Sequence, residues 1–374
     1  MHLTHFDPAA FLRDHWQKTP LLIRNPWASW SNPLDPDELA GLACEDAIES
    51  RLIRREAETW TLEHGPFAET RFAKLRDKNW TLLVQAVDHH VPDVAALIAP
   101  FRFVPNWRID DVMVTYAVDE GGVGPHVDQY DVFLIQGLGR RRWRIGAPCD
   151  ADAPLLPHDD LRLLADFQPT QEWILEPGDI LYVPPGVPHD GVAIGSDCMT
   201  YSVGFRAPSR SDLIEGWSEH LIDTLPEDDR YADPDLRAQP NPGEIAPDAL
   251  DRLHAMMSDA LNDRAAFARW FGTYSSTPKY PEADWEPEEP LDADDVRALI
   301  AEGAVLSRNP ASRFAFIRSA AGLTLFVDGE SIECNGEVAA FAEQLCAQDE
   351  VTPSAAAIDL IITLCNRGSI GFEE

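Results

Sequence analysis

The chain has 374 residues, 45% hydrophobic and 25% charged, with a formal net charge of −34. That length admits two or three domains with their own cores, and the balance excludes wholesale disorder. The negative excess disfavours binding to nucleic acid phosphates, and no apolar run approaches the roughly 20 residues that span a bilayer; with no secretion signal in MHLTHFDPAAFLRDHW, a cytoplasmic protein without membrane or direct DNA partners is expected.

Asp7 followed by Pro8 reads as a helix start, with the helix running through Trp16 to Pro20. LLIR reads as a short strand, PLDPDELAGLACE as a second capped helix, and RLIRRE with TWTLEHG as paired strands. The text through TLLVQAVDHHVPDVAALIAPF is helix-like. From Trp107 to Phe205 short strands alternate with Gly and Pro turns (RIDDVMVTYAV, DVFLIQG, RRRWRIG, EWILEPG, DILYVPP, CMTYSVGF), which predicts a barrel or sandwich. SDLIEGWSEHLIDTL and PDALDRLHAMMSDALND are amphipathic helices, and SSTPKYPEADWEPEEP is an acidic, proline-rich linker. Helix, strands, two helices and a final SIGFEE then make a small α+β module of the winged-helix sort. The six cysteines are scattered without a CxxC pair and read as small buried hydrophobes rather than zinc ligands or disulfides.

His-x-Asp occurs three times: His5 with Asp7, His126 with Asp128, and His158 with Asp160. Residues i and i+2 of a strand share a face, so such a pair can converge on one ion. Asp7 serves as a helix cap and HDDLRLL looks like another helix start, whereas His126 and Asp128 lead into a β-rich run. A third ligand is required, and His189 on a turn stiffened by Pro184, Pro185 and Pro188 supplies it. Two imidazoles and a carboxylate form the facial set of non-heme iron(II) oxygenases, while structural zinc prefers four closed ligands. Taken singly, each histidine is as well explained as a hydrogen-bonded core residue.

Oxygenases of this kind use O2 and commonly 2-oxoglutarate, whose far carboxylate suits a bidentate guanidinium. In RRRWRIG, alternation puts Arg141, Trp143 and Ile145 on one face and Arg140, Arg142 and Arg144 on the other. The apolar pair points inward, so Arg141 does too, and a buried guanidinium needs an anion: the cosubstrate, or an inward carboxylate. Asp111 and Thr115 share a face of their strand, and hydroxyls of Thr115 and Thr200 are candidates to assist the cosubstrate. GGVGPH is not a phosphate loop, since no GKS or GKT follows and a strand comes next; its glycines let backbone pass close to a channel.

WRIDDVMVTYAV, GGVGPHVDQYDVFLIQGLGRRRWRIG, LEPGDILYVPPGVPHDG and TYSVGFRAPSR closely resemble the bacterial cupin-type JmjC oxygenases, and among them the ribosomal oxygenases that hydroxylate an arginine of a large-subunit ribosomal protein. The likeness is dense over about residues 1 to 210 and looser beyond. It implies an α+β chain: a double-stranded β-helix jelly roll over 1–207, a helical dimerisation region over 208–275, the linker at 276–290 and a winged-helix-like domain over 291–374. It implies His126, Asp128 and His189 as Fe(II) ligands, Arg141 as holder of 2-oxoglutarate, and Asp111 and Tyr130 at the substrate arginine, with Asp110 adjacent and able to replace Asp111. Where the family carries asparagine, this chain has Thr200. The resemblance implies a basic ribosomal protein as substrate and a homodimer; a histidine hydroxylase, a lysine demethylase and a metal-free cupin binding module are the rival readings.

Overall fold

A computed structural model describes residues 3–57, 59–149 and 152–373. The first part runs α1 (Pro8–Asp14), β1 (Leu21–Ile23), α2 (Pro36–Leu42), β2 (Ser50–Glu56), β3 (Thr59–His64), α3 (Glu69–Phe72), β4 (Trp80–Val84) and α4 (Pro92–Ala95). Asp7 caps α1 as expected, its carboxylate accepting from the Ala9 and Ala10 amides at 2.9 and 3.1 Å. Residues 81–101 do not form the helix that their apolar text suggests. Trp80–Val84 is a strand between β2 and β5 (Ile109–Ala117), and Leu82, Leu83 and Val84 are all buried. A short apolar run covered on both faces carries no period, and Pro92, in the first turn of α4, lets no helix run on into it from the residues before.

The barrel is completed by β6 (Val132–Gly146), β7 (Pro169–Leu175), β8 (Ile180–Val183) and β9 (His189–Phe205), in the order β1-β8-β6-β9-β5-β4-β2-β3 with β7 on β6. DVFLIQG and RRRWRIG, separate strands in the sequence reading, are two halves of β6. Its first half pairs with β8, its second with β7, and both pair with β9. Register shifts between Gln136 and Arg140 make the bend, helped by Gly139 at φ +59°. The shift also resets the alternation, so that Val132 and Leu134 before it, and Trp143 and Ile145 after it, share one inner core with Leu175, Leu181 and Val183. Phe133, Ile135 and Tyr182 point outward into a larger core with Phe11, Leu39, Leu97 and Phe101 of the N-terminal elements. The inner face also lines a cavity, which Val132, Leu134 and Trp143 share with polar side chains.

Three helices follow, α5 (Arg210–Thr224), α6 (Pro247–Leu261) and α7 (Arg264–Ser276), then α8 (Ala293–Glu302), β10 (Leu306–Arg308), β11 (Phe314–Arg318), β12 (Gly322–Val327), β13 (Glu330–Asn335), α9 (Gly336–Ala347), β14 (Glu350–Val351), α10 (Ile358–Asn366) and β15 (Ile370–Phe372). The last module has its own core around Phe341, Leu345, Ile361 and Leu364. α7, which the sequence grouped with the preceding helices, also packs on β11, β12 and β13. Gly272 makes the close approach possible, since a Cβ there would lie 2.3 Å from the Phe326 ring. The terminal module also touches the barrel directly: Arg102 pairs with Asp349, and Asn106 donates to the Cys346 carbonyl at 2.7 Å. No helix among the described residues is long and apolar enough to cross a membrane.

Candidate metal centre

His126 and His189 face each other as one antiparallel pair, each amide donating to the other's carbonyl at 3.0 Å. Such a pair keeps both side chains on one face, and the imidazole centroids lie 4.3 Å apart. The strand-like stretch that carries His126 lies close against its neighbours: a Cβ on Gly121 would sit 2.2 Å from the Trp80 carbonyl and one on Gly122 2.4 Å from that of Gly191. Asp128 sits on the loop before β6 rather than in a strand, anchored where its carbonyl accepts from the Gly186 amide at 2.8 Å.

Each ring is oriented by its own backbone: His126 Nδ1 lies 2.8 Å from Gly124 O, and His189 Nδ1 3.0 Å from Val187 O. A carbonyl only accepts, so Nδ1 carries the hydrogen and Nε2 keeps its lone pair for the cavity. Those Nε2 atoms are 3.8 and 3.5 Å from the two Asp128 oxygens, and one ligand atom from each of the three residues lies within 4.8 Å of the others. Burial, then the neighbouring His126, pushes the His189 pKa down to about 4, so its ring is the neutral, coordinating form. No fourth His, Cys, Asp or Glu joins the cluster among the described residues, which suits an open-sided facial centre better than closed zinc. The other two His-x-Asp pairs stay apart: Asp7 caps α1, and His158 Nδ1 accepts from the Asp160 and Leu161 amides at 3.0 Å each, fixing a turn and not the helix start read from the sequence.

A cavity of about 830 Å³ is lined by the three residues together with side chains of β2, β5, β6 and β9. Arg141, Trp143 and Ile145 face inward as alternation requires, while Arg140 is exposed and Arg144 pairs with Asp190. Arg141 is 4% exposed, yet among the described residues no carboxylate pairs with it; Nη1 reaches the Thr115 hydroxyl at 3.4 Å, and Nε and Nη2 have no partner there. A buried cation so bare is costly unless an anion completes it. Thr115 lines the cavity, but Thr200 does not: its hydroxyl lies 3.3 Å from Gln136 Oε1, and its carbonyl accepts from the Thr115 hydroxyl at 3.4 Å. Thr200 therefore sits one step deeper than the sequence reading placed it, because Gln136 stands directly opposite it in the β6–β9 pairing and covers its hydroxyl. Ser202, the next residue on that face, does line the cavity, although the sequence reading assigned the site role to Thr200.

Asp110 and Asp111 both reach the cavity, because a register shift between Ile109 and Val112 breaks the alternation there. Asp111 is buried and accepts from Gln85 Nε2 at 2.7 Å and the Ala86 amide at 2.9 Å. Burial holds its carboxyl above the ordinary carboxylate range, whereas Lys279 and Arg313 overcome the burial of Asp110 and hold that group below it. Tyr130 lines the mouth at 42% exposure. Lys279, assigned from sequence to a linker, enters the same cavity 2.9 Å from Asp110 and 3.0 Å from Asp111. Its one sequence signal was isolation: a lone lysine in an acidic segment of a chain with only four.

Residues 96–213 match the JmjC domain family, residues 256–370 the ROXA-like winged helix family, and residues 170–271 the AraC-like ligand binding domain family. Over 327 residues the chain is 41% identical to the Ribosomal protein uL16 3-hydroxylase of Escherichia coli (strain K12), covering 87% of this chain and 84% of the relative. It is 33% identical over 348 residues to a Probable ribosomal oxygenase of Haemophilus influenzae, covering 88% and 83%. Among solved structures, E. coli ycfD superposes with a TM-score of 0.91 at 36% identity over 100% of both chains. The complex of YcfD with cobalt and 2-oxoglutarate superposes with a TM-score of 0.88 at 36% identity, again over 100% of both. A chain with this barrel, this open-sided trio of ligands and likeness of that extent belongs to the JmjC-domain ribosomal oxygenases.

Proposed function

We propose that the chain is an Fe(II)- and 2-oxoglutarate-dependent oxygenase that hydroxylates the β-carbon of an arginine in the large-subunit ribosomal protein uL16. The observation that carries this reading is a buried guanidinium with two nitrogens unpartnered among the described residues, facing the same cavity as two imidazoles and a carboxylate open on one side. His126, Asp128 and His189 hold the iron through Nε2, a carboxylate oxygen and Nε2. Arg141 takes the far carboxylate of 2-oxoglutarate with its fork, and the Thr115 hydroxyl assists. Iron, 2-oxoglutarate and O2 together supply an oxidant that replaces C–H by C–OH, with succinate and carbon dioxide as co-products. Val132, Leu134 and Trp143 line the cavity floor and exclude water. Asp111, Asp110 and Tyr130 receive the substrate guanidinium and aim its side chain. The net charge of −34 favours encounter with a basic ribosomal protein, an attraction that weakens as salt rises.

Incubating the protein with iron(II), 2-oxoglutarate and a panel of synthetic peptides covering every arginine of uL16, with histidine and methyl-lysine peptides from other ribosomal proteins and histones alongside, tests this by mass spectrometry. A gain of one oxygen atom on an arginine is expected. Oxidation of a histidine instead, or loss of a methyl group, moves the activity to a rival class, and no consumption of 2-oxoglutarate with any peptide leaves only a binding module.

The same reading makes the protein a cytoplasmic homodimer without direct DNA contact, its catalytic unit over 1–207, paired through the helical region 208–275 and followed by the linker 276–290 and the winged-helix-like domain 291–374. What supports the dimer is apolar surface on α5 and α6: Ile222 is 74% exposed and Met257 67%, with Ile214, Leu250 and Leu261 also exposed. Ile222→Glu combined with Met257→Glu is expected to convert a dimeric mass to a monomeric one in light scattering, since a charge in a buried interface is costly unless paired. A mass identical to wild type would sink the helical interface.

A further inference from the structure

Lys279 lies in the irregular segment between α7 and α8, far in sequence from the barrel, and yet its ammonium ends between two carboxylates in the catalytic cavity. Around it the charges are already matched. Asp110 gives its other oxygen to Arg313 Nη2 at 2.8 Å, and the cavity lining as a whole carries five Asp and Glu against five Arg and Lys side chains. A cavity of that balance offers no net attraction to a further cation. The acidic mouth expected for an arginine substrate exists only when one of the resident cations leaves.

The two resident cations are not equivalent. Arg313 abuts β11 and also donates to the Thr277 carbonyl at 3.0 Å, so it is tied to backbone as well as to Asp110. Lys279 has no such second anchor among the described hydrogen bonds, its side chain is 20% exposed, and it stands on a stretch without helix or strand. The three donors on Asp111, from Gln85, Ala86 and Lys279, all meet Oδ2, while Oδ1 faces Gly204. A planar guanidinium taking both oxygens needs the place that Lys279 holds, and a point-charge ammonium on a flexible stem is the weaker of the two carboxylate ligands.

We propose that Lys279 is a resident stand-in for the substrate's cationic side chain: it neutralises Asp110 and Asp111 in the resting protein and is exchanged for the incoming guanidinium, so that it sets both the affinity of the pocket and its demand for positive charge. This rests on the arginine hydroxylase reading above. The competing account is that Lys279 only staples the terminal module to the barrel.

The uL16 peptide with the highest turnover, and a copy with citrulline in place of its arginine, separate these accounts when tested on the full-length protein. Lys279→Met keeps the length and removes the charge; it is expected to lower the KM and Kd of the arginine peptide about tenfold and to leave the citrulline peptide's Kd unchanged. Lys279→Arg, which keeps the pair occupied by a better fork, is expected to raise both constants for the arginine peptide several-fold. A KM that rises or stays unchanged in Lys279→Met, or equal tightening for the citrulline peptide, overturns the exchange. Should Lys279→Met fail to fold, Lys279→Arg decides alone, and constants equal to wild type overturn it. If the wild-type protein neither binds nor hydroxylates any arginine peptide, both readings fall; hydroxylation by wild type with no response to Lys279 defeats the exchange alone.

Discussion

Asp128→Ala is expected to abolish hydroxylation and tight iron binding while leaving the fold intact. Its carboxylate is the only acidic member of the trio, with one oxygen toward each imidazole at 3.8 and 3.5 Å. Two neutral imidazoles alone hold a divalent ion weakly and leave its charge uncompensated. Turnover should fall by at least about a thousandfold, which is about 4 kcal/mol of lost transition-state stabilisation. Stability should move little, by about 0.5 kcal/mol, since Asp128 lies on a loop with its side chain 20% exposed and none of the described hydrogen bonds ends on its carboxylate. His189→Ala is a poorer probe, because that ring is buried and its loss leaves a cavity beside Trp143. Metal analysis after anaerobic loading, with circular dichroism on the same sample, checks both halves of the expectation. An Asp128→Ala protein that retains full iron and full turnover would show that the trio is not the centre.

Much of this site was legible because its parts obey short-range rules. Alternation alone places Arg141 with Trp143 and Ile145, and a histidine two residues before an aspartate ahead of a β-rich run singled out His126 and Asp128 against two rival pairs. What sequence did not show depends on breaks in those rules or on contacts across the chain. The β5 register shift brings adjacent Asp110 and Asp111 to one cavity, where alternation would have chosen between them. Gln136 stands opposite Thr200 across the β6–β9 pairing and takes its hydroxyl off the cavity wall, a contact between strands 64 residues apart. β4 lacks any period because both faces are covered. Lys279 is 169 residues from Asp110, and nothing local in a proline-rich acidic stretch marks it as a cavity residue.

Arg141 makes a second large prediction, and one with two opposite signs. Removing the guanidinium removes the charge-assisted hydrogen bonds to the far carboxylate, which are worth roughly 1.5 to 3 kcal/mol, so Arg141→Met should raise the KM for 2-oxoglutarate by about 10- to 150-fold. Iron binding should be nearly unchanged, since Arg141 reaches Thr115 and none of the three ligand residues. Without cosubstrate the same change should stabilise the protein, because Nε and Nη2 are buried without partners among the described residues and an apolar side chain of similar length fills the space beside Trp143. Replacing buried charge by packed hydrophobe gains about 1 to 4 kcal/mol in comparable cases. Saturating 2-oxoglutarate should raise the melting temperature of the iron-loaded wild-type protein through binding to the native state, and that increment should vanish in Arg141→Met. Were Arg141 instead a structural ion pair with an inward carboxylate, the substitution would strand that carboxylate, lower the melting temperature and leave the ligand-induced increment in place. Thermal scans of the two proteins, each with and without 2-oxoglutarate, therefore assign the arginine by sign as well as by size.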